Sequence, residues 1–144
     1  MTHSQGKHTI RRLLDLRGRE VDRLSADMAA RRSVRERYRN NLRRLEHLCQ
    51  TLGPSASLPP ALSLNCAEYK QAVLELAHVH RDDLALHEAD MAVAQTALTT
   101  AYQKHQALGS VVARRQACEQ RERTSREQKR QDEIAAQVWL RGRS

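Results

Sequence analysis

The sequence has no phenylalanine, aromatic residues make up 3% of its 144 positions, and it holds only five glycines and three prolines. Sandwiches, barrels and Rossmann folds need large core side chains and frequent turns, so this scarcity excludes them. No apolar run approaches the roughly 20 residues of a membrane span. Cys49, Cys66 and Cys118 form an odd set without Cys-x-x-Cys spacing, and the polar start Met1–Lys7 carries no signal-peptide pattern. The expectation is a reduced, cytosolic protein that meets a membrane only through a partner. The glycines are scattered singly, so no loop cradles a phosphate. An elongated chain also offers no cleft in which a nucleophile and a base are held away from water. Neither an enzyme nor a cofactor is expected.

What the chain has is helix-forming residues and positive charge. Hydrophobic residues make up 40% and charged residues 29%, with a formal net charge of +8. Residues 1–52 carry 13 Lys and Arg against 6 Asp and Glu, residues 53–113 carry 3 against 6, and residues 114–144 carry 9 against 5. The surplus sits at the two ends, and its sign favours an acidic partner.

Apolar positions then set the architecture. Ile10, Leu14, Arg17, Val21, Leu24, Met28, Arg31, Arg35, Tyr38, Leu42, Leu45, Cys49 and Leu52 follow alternating steps of four and three, the spacing of a coiled-coil seam. The three arginines can snorkel outward on their aliphatic stems. Gly53, Pro54, Pro59 and Pro60 then stop the helix. Asn65 and Glu68 resemble a capping box and predict a helix start near 65. A second stripe runs through Tyr69, Val73, Leu76, His80, Leu84, His87, Met91, Ala94, Leu98, Ala101, His105, Leu108 and Val112, with one extra residue between His80 and Leu84. After Val112 the stripe positions turn polar, although helix propensity persists.

These patterns predict an all-α fold, a single elongated coiled-coil domain over residues 1–144. Helix 1 is expected over about 8–52, a Pro-rich turn over 53–64 and helix 2 over about 65–139, paired as an antiparallel hairpin. Equal rise per residue would set Leu52 against about residue 66 and Ile10 against about residue 108. The C-terminal helix then extends beyond its partner from about residue 113. Ile134, Val138, Trp139 and Leu140 on that extension have nothing in the chain to cover them, so a partner should receive this end.

Smaller groupings carry less. His78, His80, Asp82 and Asp83 lie close in sequence, but residues two apart on a helix face different ways and no His-Glu-x-x-His pattern is present. No metal is assigned. Cys49 and Cys66 flank the turn and read as reduced thiols. The arginine tract at 31–37 is interleaved with acid and lacks a base-reading cluster, so no specific nucleic-acid binding is expected.

Residues 128–136 and 69–76 carry a resemblance. Gln128-Lys129, Asp132-Glu133 and Ala135-Ala136 are similar to the Gln-Lys-x-x-Asp-Glu-x-Ala signature of the FliJ family of flagellar type III export. Tyr69-Lys70-Gln71-Ala72 and Leu76 resemble that family's Tyr-x-Gln-Phe and Leu pattern, with Ala72 where an aromatic is usual. Glu20, Val21 and Leu24 to Met28 are similar too. The resemblance implies a non-enzymatic stalk and escort protein, cytoplasmic and peripherally associated with the inner membrane at the flagellar base. It implies three partners: the hexameric export ATPase (FliI-like), the export-gate protein (FlhA-like) and export chaperones. Carried over by position, Arg11, Arg12, Arg17, Gln128, Lys129, Asp132 and Glu133 would bind the ATPase ring. Leu42, Leu45, Tyr69, Leu76 and Val79 would face the gate, although Leu42, Leu45 and Leu76 also lie on the expected seam. The competing readings are an injectisome stalk of the YscO class, a basic nucleic-acid-binding coiled-coil adaptor and a self-assembling scaffold.

Overall fold

The computed structural model describes residues 2–52 and 59–143 and contains two helices, α1 (Thr2–Thr51) and α2 (Pro60–Arg141). Their lengths, 50 and 82 residues, follow from composition: neither is interrupted by an internal proline, and Ala, Leu, Arg, Glu and Gln dominate both. The fold is all-α, with two helices packed against each other and the second much longer than the first. Residues 53–58 of the expected turn lie outside the described residues.

The start of α2 corrects the capping-box expectation. The helix begins at Pro60, five residues before Asn65, and the Pro59 carbonyl accepts from the Leu62 and Ser63 amides at 3.0 Å. Proline suits a first helical position because its missing N–H is one that the first turn leaves unpaired anyway, and its fixed φ is already helical. Asn65 and Glu68 are ordinary exposed helix residues. The helix stops two residues later than expected, at Arg141, where the Gly142 amide still reaches the Val138 carbonyl at 3.0 Å.

Two compact units divide the helices: residues 20–100 form a central unit, and residues 1–19 with 101–144 form a terminal unit. In the central unit the α1 seam is as the heptads predict, with Met28 and Leu42 buried and Val21, Leu24, Arg31, Arg35, Tyr38, Leu45 and Cys49 half-buried. The α2 seam is different near its start. Its buried and half-buried residues are Val73, Ala77, His80, Leu84, His87, Met91, Ala94 and Leu98, an unbroken alternation of four and three. Ala77 is 1% exposed, whereas Leu76 is 47% exposed and Tyr69 lies outside as well. No extra residue separates His80 from Leu84. Tyr38 packs between His80 and His87, with ring centroids at 6.1 and 5.9 Å. Continued one heptad, that register sets Leu45 near Ala77, a large side chain against a small one.

The same middle stretch of seam is polar. His87 Nε2 lies 2.9 Å from the Arg31 carbonyl oxygen, while Arg35 Nε, which is 3.6 Å from the Glu36 carboxylate, and His80 Nδ1 are buried with no hydrogen-bond partner among the described residues. Arg31 swings outward to Asp27 at 2.8 Å, and that hydrogen bond, with the Asp27 charge second, raises the guanidinium pKa further above its ordinary value. An unmade hydrogen bond in a packed seam destabilises, and an apolar side chain at the same place removes that cost. Replacing Arg35 by Leu should therefore stabilise the protein by about 1 kcal/mol, read as a higher urea midpoint at unchanged slope.

The terminal unit is paired one turn away from the expected register. Ile10 shares a pocket with Val111 and Val112, and Leu14 Cδ1 comes within 3.9 Å of a Cβ built on Gly109, so Ile10 stands beside 111–112 rather than 108. A Cβ built on Gly18 would in the same way meet the His105 imidazole, at 3.4 Å from Nε2. The offset has a cause in α2 itself. Its residues 61–69 are all exposed, so the helix begins pairing only near residue 70, four residues after the position expected opposite Leu52.

Candidate functional site

In the terminal unit, α2 outruns its packing. Glu119 is its last half-buried residue, and every described residue from Gln120 to Arg143 is exposed. At about 1.5 Å per residue the bare helix from Glu119 to Arg141 is roughly 33 Å long. It stays helical by local means. Arg126 and Glu122 pair at 3.7 Å one turn apart, and the Thr124 hydroxyl donates to the Gln120 carbonyl at 2.9 Å. Near its end Ile134, Val138, Trp139 and Leu140 are all exposed, and the Arg143 guanidinium lies 4.6 Å over the Trp139 ring. Apolar bulk of this kind on an otherwise polar helix makes these turns the candidate contact surface of the unit.

The structure gathers part of the expected ring-binding set. Gln128, Lys129, Asp132 and Glu133 share the exposed extension. Arg11 lines the pocket of Ile10, Val111 and Val112, together with Arg115, Gln116 and Glu119. Arg12 is exposed, and Arg17 is half-buried on the seam and engaged with another residue. Gln128 therefore begins about 14 Å beyond the level of Glu119, so the arginines and the signature residues are successive levels of one unit rather than one cluster. The pocket was not legible in the sequence, because it exists only where the two helices meet.

The central unit divides the expected gate-facing set. Leu42 is buried and Leu45 half-buried in the seam, while Tyr69, Leu76 and Val79 are exposed on α2. Leu86 and Val93, which the sequence reading did not single out, are more exposed still. On the other flank of the seam, Arg39 reaches Glu88 and Arg81 reaches Glu46, each at 2.8 Å between the helices. Such exposed pairs contribute roughly 0.2–1 kcal/mol each and serve chiefly to hold register.

The smaller groupings are also placed. His78 and Asp82 form an exposed pair at 3.6 Å, whereas His80 turns into the seam. Cys49 is half-buried, Cys66 and Cys118 are exposed, and all three are free thiols. Among the described residues no group of three or more His, Cys, Asp or Glu could hold a metal ion. No described helix is long and apolar enough to cross a membrane.

Comparison with protein families decides among the readings that this geometry allows. The family described as Flagellar FliJ protein matches residues 7–144, nearly the whole chain. The chain belongs to the FliJ family. The match takes in the whole central unit and all but the first six residues of the terminal unit, including the exposed extension. No individual curated protein and no solved structure matches the chain. As a FliJ-family member it is a component of flagellar protein export, and the family is one of structural and escort proteins rather than of enzymes.

Proposed function

We propose that this FliJ-family protein is the non-enzymatic stalk of the export apparatus, entering the hexameric export ATPase with its terminal unit and promoting assembly or activity of the ring. The observation that carries this reading is the extension of α2 from Gln120 to Arg141, which has no packing partner among the described residues and whose last turns expose Ile134, Val138, Trp139 and Leu140. A rigid helix of this length can occupy a ring lumen without paying an ordering cost on binding. Gln128, Lys129, Asp132 and Glu133 offer both signs of charge to the lumen wall, and Arg11, Arg12 and Arg17 add the basic collar of the same unit.

In this reading the central unit serves the membrane export gate. Tyr69, Leu76 and Val79 make the contact, and Leu42 and Leu45 support it from inside the seam. The protein works in the cytoplasm at the periphery of the inner membrane, reaching the membrane through the gate, and hands on unloaded export chaperones.

The test is a complex. Mixed with the export ATPase and a nucleotide analogue, the full chain should co-elute with the hexamer at one copy per ring by light scattering. A chain ending at residue 119 should elute alone with unchanged helicity per residue. Co-elution of the shortened chain would refute the insertion reading.

A further inference from the structure

Helix α2 carries two seams, and α1 covers only one of them. The covered seam runs through Ala77, His80, Leu84, His87 and Met91. Positions 76, 79, 83, 86, 90 and 93 repeat the same alternation of three and four, roughly 100° around the helix. Leu76, Val79, Leu86 and Val93 occupy four of them with exposures of 47%, 53%, 68% and 72%, and Leu86 and Val93 exceed every other described large apolar residue of the central unit. Asp83 and Asp90 occupy the other two and are exposed. From Leu76 to Val93 the seam is about 26 Å long. Toward the start of the helix the spacing continues through Ala72 and Tyr69.

A heptad seam that nothing covers is a place for a further helix, since scattered exposed apolar residues would show no period. Its charge pattern selects the occupant. Once a helix docks, Asp83 and Asp90 sit within the contact. Neither carboxylate has an ion pair among the described residues, although Asp90 lies close enough to help hold the Arg31 guanidinium charged. A docked carboxylate without a cation is costly. A second copy applying the same stripe would bring Asp83 and Asp90 toward their own counterparts, and like charges in a contact repel.

We infer that the Leu76–Val93 face of α2 binds an amphipathic helix of a partner protein whose apolar ridge carries Lys or Arg at two positions seven residues apart. This completes a three-helix bundle with the two helices of the central unit. Leu76 and Val79 belong also to the proposed gate-facing surface, and to that extent the inference rests on that reading. Asp83, Leu86, Asp90 and Val93 are additional to it and set which partner helix fits.

The probes are two synthetic amphipathic helices of about four heptads, identical except for Lys or Glu at two ridge positions seven apart, titrated against the full chain by fluorescence anisotropy. The Lys peptide should bind at least about tenfold more tightly than the Glu peptide. The chain's net charge of +8 favours the Glu peptide, so the global field cannot produce that order. Asp83→Lys with Asp90→Lys should invert the preference, and Leu86→Glu with Val93→Glu should abolish binding of both. Equal affinities, no binding, or binding that survives the Leu86 and Val93 changes would overturn the inference. So would sedimentation showing that the chain pairs with itself through this face. Every altered residue is exposed and remote in sequence from the extension, so the ATPase complex should persist in all variants. Its loss in the unaltered chain would count against the stalk reading alone.

Discussion

Replacing Ala77 by Asp is expected to destabilise the protein by about 3 kcal/mol or more, while the same change at the adjacent Leu76 should move stability by less than about 1 kcal/mol. Ala77 is 1% exposed and packs in the seam, so a carboxylate there loses its water. Leu76 lies outside the pairing, where Asp remains hydrated. Hydrophobicity alone orders the two positions the other way, since Leu is the larger apolar residue. Urea unfolding followed by circular dichroism reads both changes. Similar losses at the two sites would place Leu76 back in the seam and restore the slip between His80 and Leu84. The pair also separates packing from recognition, since Leu76→Asp should weaken peptide binding to the outer face with the fold intact.

Removing the Trp139 side chain should have the largest effect on the ring complex for the smallest effect on the fold. Trp139 is the only tryptophan, 60% exposed, with its ring against the Arg143 guanidinium. Its truncation to Ala should leave thermal stability within about 0.5 kcal/mol, as for other exposed sites. At a contact centre, a buried tryptophan typically contributes about 2 kcal/mol or more, close to a thirtyfold change in affinity. Titration of ATPase against the full chain and against Trp139→Ala measures that ratio. The native chain's Trp139 emission should also move to shorter wavelength as the ring removes it from water. Equal affinities and an unshifted emission would mean that the last turns of α2 stay in solvent.

The α1 seam was legible because its apolar residues keep one period from Ile10 to Leu52, and even its arginines sit where the heptad puts them. The α2 seam was legible at Val73 and from His80 onward, and misread at Tyr69 and Leu76. At 76–77 the sequence offers the larger apolar Leu beside Ala, although strict alternation of four and three back from Leu84 selects Ala77. The restart of the chain at Pro60 was hidden for a related reason: proline punctuates a turn and also opens a helix, and Asn65 with Glu68 supplied a competing cap. The register differs by about one turn for a separate reason: α2 starts earlier than expected but pairs only from near residue 70. The unpaired extension was legible as the place where the stripe ends, and its exposure follows directly. The pocket at Ile10, Val111 and Val112 and the second seam of α2 required coordinates, because both depend on what the other helix covers.

The central claim is that the uncovered end of α2 acts on the export ATPase. ATP turnover by the hexamer, measured with the full chain, with a chain ending at residue 119 and with no addition, tests it most directly. Stimulation by the full chain alone is the predicted result. Equal stimulation by the shortened chain, or none by either, would contradict it.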